Sequence, residues 1–101
     1  MDRIRLNKER KKIDKIDQQL FKLIKKRTII VKKMLNLKKY KHEIVDHKRI
    51  KEILLELKRK SIRNKIDPKI TKRIWKSMIW SYVDNQRKNF NKKKYLFTMW
   101  W

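Results

Sequence analysis

Three cations lie where a helix would place its buried face. Stepping from Arg10 by alternating threes and fours gives Arg10, Ile13, Asp17, Leu20, Ile24, Arg27, Val31, Met34 and Lys38. Alongside runs an apolar row at intervals of seven, Ile16, Leu23, Ile30 and Leu37. Apolar residues at this period form the inward face of a packed helix. A buried cation without a partner costs several kcal/mol even after relaxation. Asp17 is the only acid on the stripe, so the compensating negative charge is expected from a ligand. Arg27 and Lys38 are three turns apart, about 16 Å along a helix axis. Their long side chains can lean toward a small molecule bearing carboxylates. The alternative is that these cations snorkel at the edge of the stripe.

Arg10 is about 42 Å from Lys38 along the same helix, too far for one chain to join them. In a symmetric antiparallel pair of such helices crossing near residue 21, Arg10 of the partner subunit falls level with residue 32. Three cations then converge on one pocket, and the two-fold axis makes two pockets.

The elements that must position these residues are helical. The chain has no glycine and one proline, which disfavours tight hairpin turns, and no clean period-2 run appears. The expected fold is all-α, with three helices per chain, a long first helix and an intertwined homodimer. Helix one is expected from about Asp2 to Lys41. Helix two follows "EIVDHKR" with Asp46 as N-cap, carries Ile50, Ile53, Leu54 and Leu57, and ends near Ile62. "KIDPKI" puts Asp67 at an N-cap and Pro68 at the first helical position. Helix three then runs through Ile70, Ile74, Trp75, Ile79 and Val83 to about Asn89. Residues 1–92 are expected to form the helical domain and 93–101 a basic, aromatic tail whose Trp100 and Trp101 fray or pack back. A first helix of some 40 residues spans about 60 Å. On length alone, two shorter helices of its own chain would not cover it, so a second copy is expected.

The formal charge is +23, from 33 Lys and Arg against 10 Asp and Glu. Such a balance invites a nucleic acid or anionic membrane as partner. Yet lysines surround every helix rather than gathering on one face, and the chain lacks alanine as well as glycine while Lys, Ile and Asn abound. That is the composition an AT-biased genome encodes, so the charge is weak evidence for a polyanion. The 101 residues suit one domain. With no cysteine, disulfides and thiolate chemistry are excluded. No apolar run reaches bilayer length, and MDRIRLNKERKK lacks the apolar core of a secretory signal. A soluble, cytoplasmic protein without membrane attachment is expected.

The segments "ERKKIDKIDQQLFKLIKKR", then Lys38, "VDHKRIKEIL", "DPKI" and "YVDNQ" together resemble the all-helical chorismate mutase family, over about residues 4 to 90. The resemblance implies intertwined three-helix dimers acting on chorismate. It matches Arg10, supplied across the interface, and Arg27 to the arginines that hold the two carboxylates, for which a planar fork is suited. Lys38 matches the lysine that reaches a carboxylate and the breaking ether oxygen. Gln86 matches the residue bonding that oxygen from the other side, so Lys38 and Gln86 are the implied catalytic pair. Asp46 and Arg49 match the pair lining the ring end of the pocket. Directly after that arginine the family has a glutamate that accepts a hydrogen bond from the substrate hydroxyl; here the position is Ile50. Glu52 is turned about 200° around the helix and does not substitute. Four residues before Gln86, where a small polar residue is common, stands Tyr82, and the Lys38-to-Asp46 loop is one residue shorter. Isochorismate pyruvate lyase, of the same fold, tolerates an apolar residue at position 50 and is the alternative activity.

Chorismate to prephenate, a step toward phenylalanine and tyrosine, is intramolecular and requires no cofactor, metal, nucleophile or general base. The enzyme holds the enolpyruvyl side chain over the ring and stabilises negative charge growing on the ether oxygen. His42 and His47 lack further partners at ligand spacing and read as surface residues, so no metal is expected. Trp75 and Trp80 read as core or dimer contacts, and Asp17 as a structural polar contact on the stripe. A basic helical nucleic-acid-binding protein is the reading from another class, and it leaves the cations on the apolar stripe unexplained.

Overall fold

The computed structural model describes residues 2–38 and 44–99, with side chains through Phe90. Three helices account for nearly all of it: α1 (Arg3–Leu37), α2 (His47–Arg63) and α3 (Pro68–Met99). There is no strand among the described residues.

Residues 1–34 form one unit and 35–101 another. The first holds α1 up to Met34. Asp2 caps it, its Oδ1 accepting from the Arg5 amide at 3.1 Å and its carbonyl from Leu6 at 3.1 Å. Almost every side chain here is exposed, the apolar row included: Leu23 and Ile30 are 59% and 58% accessible. Arg27, Thr28 and Val31 are half-buried.

The second unit begins with the last residues of α1, Leu35 to Leu37, and contains α2 and α3. Its core is small: Leu35, Ile44, Ile79, Val83 and Phe90 are buried, with Val45, Ile50, Ile53 and Trp75 packed against them. Positions 50, 53, 54, 57 and 61 put one stripe of α2 inward, and 75, 79, 83, 86 and 90 do the same for α3. Early α2 thus meets late α3, and the two helices run antiparallel.

The caps explain the hairpin. Asp46 Oδ1 accepts from the Arg49 amide at 2.9 Å and starts α2. Asp67 Oδ1 accepts from Lys69 at 2.9 Å, with Pro68 as the first residue of α3, because proline's fixed φ suits that place and its missing N–H is not required there. Between them α2 ends in a paired closure: Ile66 N–H donates to Ser61 O at 2.9 Å and Lys65 N–H to Ile62 O at 3.3 Å. Lys65 adopts φ 57° to make it, a left-handed position usually taken by glycine. Inside the turn, Ser61 is 2% exposed. Its Oγ bonds Leu57 O and the Thr71 hydroxyl, both at 2.7 Å.

The helix ends fall only partly where expected. α1 closes at Leu37, where Lys38 N–H bonds Leu35 O at 3.1 Å; the expected end at Lys41 lies outside the described residues. α2 ends at Arg63, as near Ile62 as expected. α3 continues to Met99 rather than stopping at Asn89, since no glycine or proline follows Pro68 to break it. With 35 residues in α1 and 32 in α3, helix length no longer argues for a second copy. Exposure of the apolar row replaces that argument.

Candidate active site

Among the described residues of α3, Gln86 is the fully buried polar side chain, 7% exposed between Val83 one turn before it and Phe90 one turn after. A buried amide must be hydrogen-bonded to be tolerated. It is: Lys38 Nζ donates to Gln86 Oε1 at 2.8 Å and also to the carbonyl of Ile44 at 3.3 Å. Lys38, the first residue beyond α1, is half-buried. Two residues 48 apart in sequence are therefore joined by a charge-assisted bond, the strong kind at such short distances. Because Oε1 serves the lysine, the donor end of the amide is turned away from it. The ammonium of Lys38 and the amide of Gln86 thus meet next to the buried apolar residues of α3. Such an arrangement can stabilise an oxygen that gains negative charge.

The α2 end of this region is built by the same cap that starts the helix. Asp46 and Arg49 are exposed, while Ile50 is half-buried and packs on the apolar cluster. Tyr82 is half-buried on α3, one turn before Gln86. The structure thus gathers Lys38, Asp46, Arg49, Ile50, Tyr82 and Gln86 within one unit. Arg10 and Arg27 belong to the other. Arg10 is exposed and donates to Asn7 Oδ1 at 3.5 Å on its own helix.

Among the described residues no group of three His, Cys, Asp or Glu could hold a metal ion, and no helix is long and apolar enough to cross a membrane. His47 is exposed, its ring 6.5 Å from that of Trp80; His42 lies outside the described residues. Trp75 packs on the core as expected, and Trp80 is 37% exposed. Asp17 is exposed, so within this chain it makes no buried contact, because nothing of the described unit covers the stripe. Sequence reasoning missed the carbonyl of Ile44 as an anchor for Lys38, for which a side-chain pattern carries no signal.

A family model, chorismate mutase type II, matches residues 9–87. The chain belongs to the chorismate mutase type II family. Membership implies chorismate mutase activity, an intramolecular isomerisation in aromatic amino acid synthesis with chorismate as substrate, and it accords with the three helices and no strand found among the described residues. The match ends one residue past Gln86, so it takes in every residue of the candidate site. Neither a search of curated proteins nor one of solved structures returned a match.

Proposed function

We propose that this chain rearranges chorismate to prephenate in a homodimer, with Lys38 and Gln86 acting on the ether oxygen. The observation that carries this is the 2.8 Å bond between Lys38 Nζ and Gln86 Oε1 at the edge of the buried cluster. As the C–O bond lengthens, charge builds on the ether oxygen, and donors already fixed in place stabilise it without reorganising. Lys38 donates from one side; the Gln86 amide, held by its oxygen, donates through Nε2 from the other. One bond breaks and one forms within a single molecule, so what remains for the protein is restriction of the enolpyruvyl arm. Arg27, and Arg10 of the partner subunit, hold the two substrate carboxylates, while Asp46, Arg49, Ile50 and Tyr82 line the ring end. The exposed apolar row of α1 and the small core support a second copy as the missing cover. The enzyme works in the cytoplasm and carries no cofactor, metal, nucleic acid or membrane.

Purified protein should consume chorismate, followed by loss of its ultraviolet absorbance, and form prephenate. Arg10→Ala and Arg27→Ala proteins should each be inactive, and mixing them after co-refolding should restore activity, because one site per heterodimer is intact. No chorismate turnover, or no recovery on mixing, refutes the reading at two separable levels. Ile50 favours one second reading, pyruvate elimination from isochorismate, and that substrate is run in parallel with pyruvate release as its readout.

A further inference from the structure

We propose that a groove toward the closed end of the α2–α3 hairpin docks an acidic, leucine-bearing segment of another protein. The groove holds about 410 Å³ and lies between the middle of α2 and the start of α3. Each helix contributes the same spacing, with positions 54, 55, 57 and 58 from α2 and 68, 69, 71 and 72 from α3. Leu54, Leu57, Pro68 and Thr71 are half-buried and form the floor. Leu55, 51% exposed, and the exposed Lys58, Lys69 and Lys72 form the rim. The Thr71 hydroxyl already bonds that of Ser61 at 2.7 Å and the Pro68 carbonyl at 3.2 Å. The floor therefore calls for apolar groups.

Basic charge alone distinguishes nothing in a chain whose lysines surround every helix. What sets these three lysines apart is the apolar floor between them, with a cation on both walls. The ion pairs among the described residues join Arg5 to Asp2, Lys12 to Glu9 and Arg63 to Glu56, and none takes in a rim lysine. Eight of the sixteen residues from Lys58 to Arg73 are Lys or Arg. The one acid among them, Asp67, caps α3. An occupant therefore has to bring both apolar side chains and its own negative charge. Leucines one turn apart seat in such a floor in helix-in-groove recognition, and carboxylates beside them complement the rim. A nucleic acid would use the lysines through its phosphates and leave Leu55 and the floor in water. A second copy brings 10 acids against 33 cations, a poor match for a basic rim. The groove also stands apart from the candidate active site. Lys72 and Gln86 are fourteen residues apart on α3, about 21 Å along the axis.

The probe is a synthetic helical peptide of glutamates and alanines carrying two leucines one turn apart. Its binding to the full chain is followed by fluorescence anisotropy at about 0.15 M salt, where distant surface charges are largely screened. Changing Lys58→Gln, Lys69→Gln and Lys72→Gln together should weaken binding by at least about tenfold, because all three charges meet the peptide directly. Removing the same charge from α1, with Lys8→Gln, Lys15→Gln and Lys25→Gln, should weaken it by less than about threefold. Leu55→Ser should cost at least about tenfold, and so should serines in place of the peptide's leucines, since each change removes an apolar contact. Circular dichroism checks that every variant keeps its helices. Equal weakening by the two triple changes makes the attraction diffuse and overturns the proposal, as does a peptide that does not bind. A serine peptide that binds as well as the leucine one overturns it too. An oligothymidylate that binds more tightly than the peptide, through the same three lysines, gives the groove to nucleic acid instead. A rim variant that sediments as a smaller species than the unaltered chain gives it to a second copy, and each of these results overturns the assignment to an acidic protein segment.

Discussion

Replacing Lys38 by alanine separates what this residue does for the fold from what it does for the reaction. On the stability side, the change removes the donors to Gln86 Oε1 and to the Ile44 carbonyl. An acceptor left without a partner in a buried place costs about 1–3 kcal/mol. Lys38 is only half-buried, so its removal opens a route for water to Oε1, and the same change relieves the partial desolvation of an ammonium. The net loss should fall near the lower end, about 1 kcal/mol. On the reaction side, a single preorganised donor at a developing oxyanion is worth about 10²–10³ in kcat. Lys38 also contacts a carboxylate in the proposed complex, so kcat/KM should fall by at least about 10³, near 4 kcal/mol at 1.36 kcal/mol per decade. Urea unfolding followed by circular dichroism gives the first quantity and chorismate consumption the second. A variant that keeps its fold and turns over within tenfold of the unaltered chain refutes the assignment. A variant that loses both together makes Lys38 a structural residue.

Other outcomes follow from local geometry. Lys65→Gly should raise stability by about 0.5–1 kcal/mol, because a left-handed non-glycine residue is strained by 1–2 kcal/mol and glycine recovers part of that against its greater freedom unfolded; a lower urea midpoint contradicts it. Ser61→Ala removes the hydroxyl that joins Leu57 O to Thr71 and should lower stability by about 1 kcal/mol, with chorismate turnover per folded molecule unchanged. Leu23→Glu, on the exposed α1 row, should shift the protein from dimer to monomer in sedimentation and remove activity with it, since a charge at a covered apolar contact is strongly unfavourable; a dimer that persists refutes this face as the interface.

How far the sequence could be read depended on whether the physics was local. Asp46 and Asp67 were legible as caps because each acts within three residues of itself, and Pro68 because its ring dictates one helical position. The inward stripe of α2 followed from periodicity, and that of α3 from Trp75 through Val83, whereas Ile70 and Ile74 of the expected row are exposed; Gln86 stood out as a polar interruption once a family pattern had marked it. The extent of α3 was not legible, nor was the way α2 closes. With no glycine in the chain, the usual stop signal is absent, and Lys65 carries out that task in a conformation that lysine's side chain does not announce. The Ile44 carbonyl was invisible for a related reason: a backbone acceptor has no residue type.

Lys38 and Gln86 also show why the three cations first noticed on the helical stripe are not equivalent. Lys38 meets its acceptors inside its own unit, through a contact that a single chain completes. Arg10 meets Asn7, one turn away in a solvent-exposed position, where such a contact contributes little. An arginine placed among apolar residues at helical spacing and exposed in its own chain is what the proposed second copy would cover. On the proposed reading, the ether-oxygen end of the site belongs to the folded monomer and the carboxylate end to an assembly of two copies. Dilution below the dimer dissociation constant should then abolish turnover while the Lys38–Gln86 bond survives. Loss of activity on dilution without loss of helicity distinguishes this from simple unfolding, and activity that stays proportional to concentration through dissociation contradicts it.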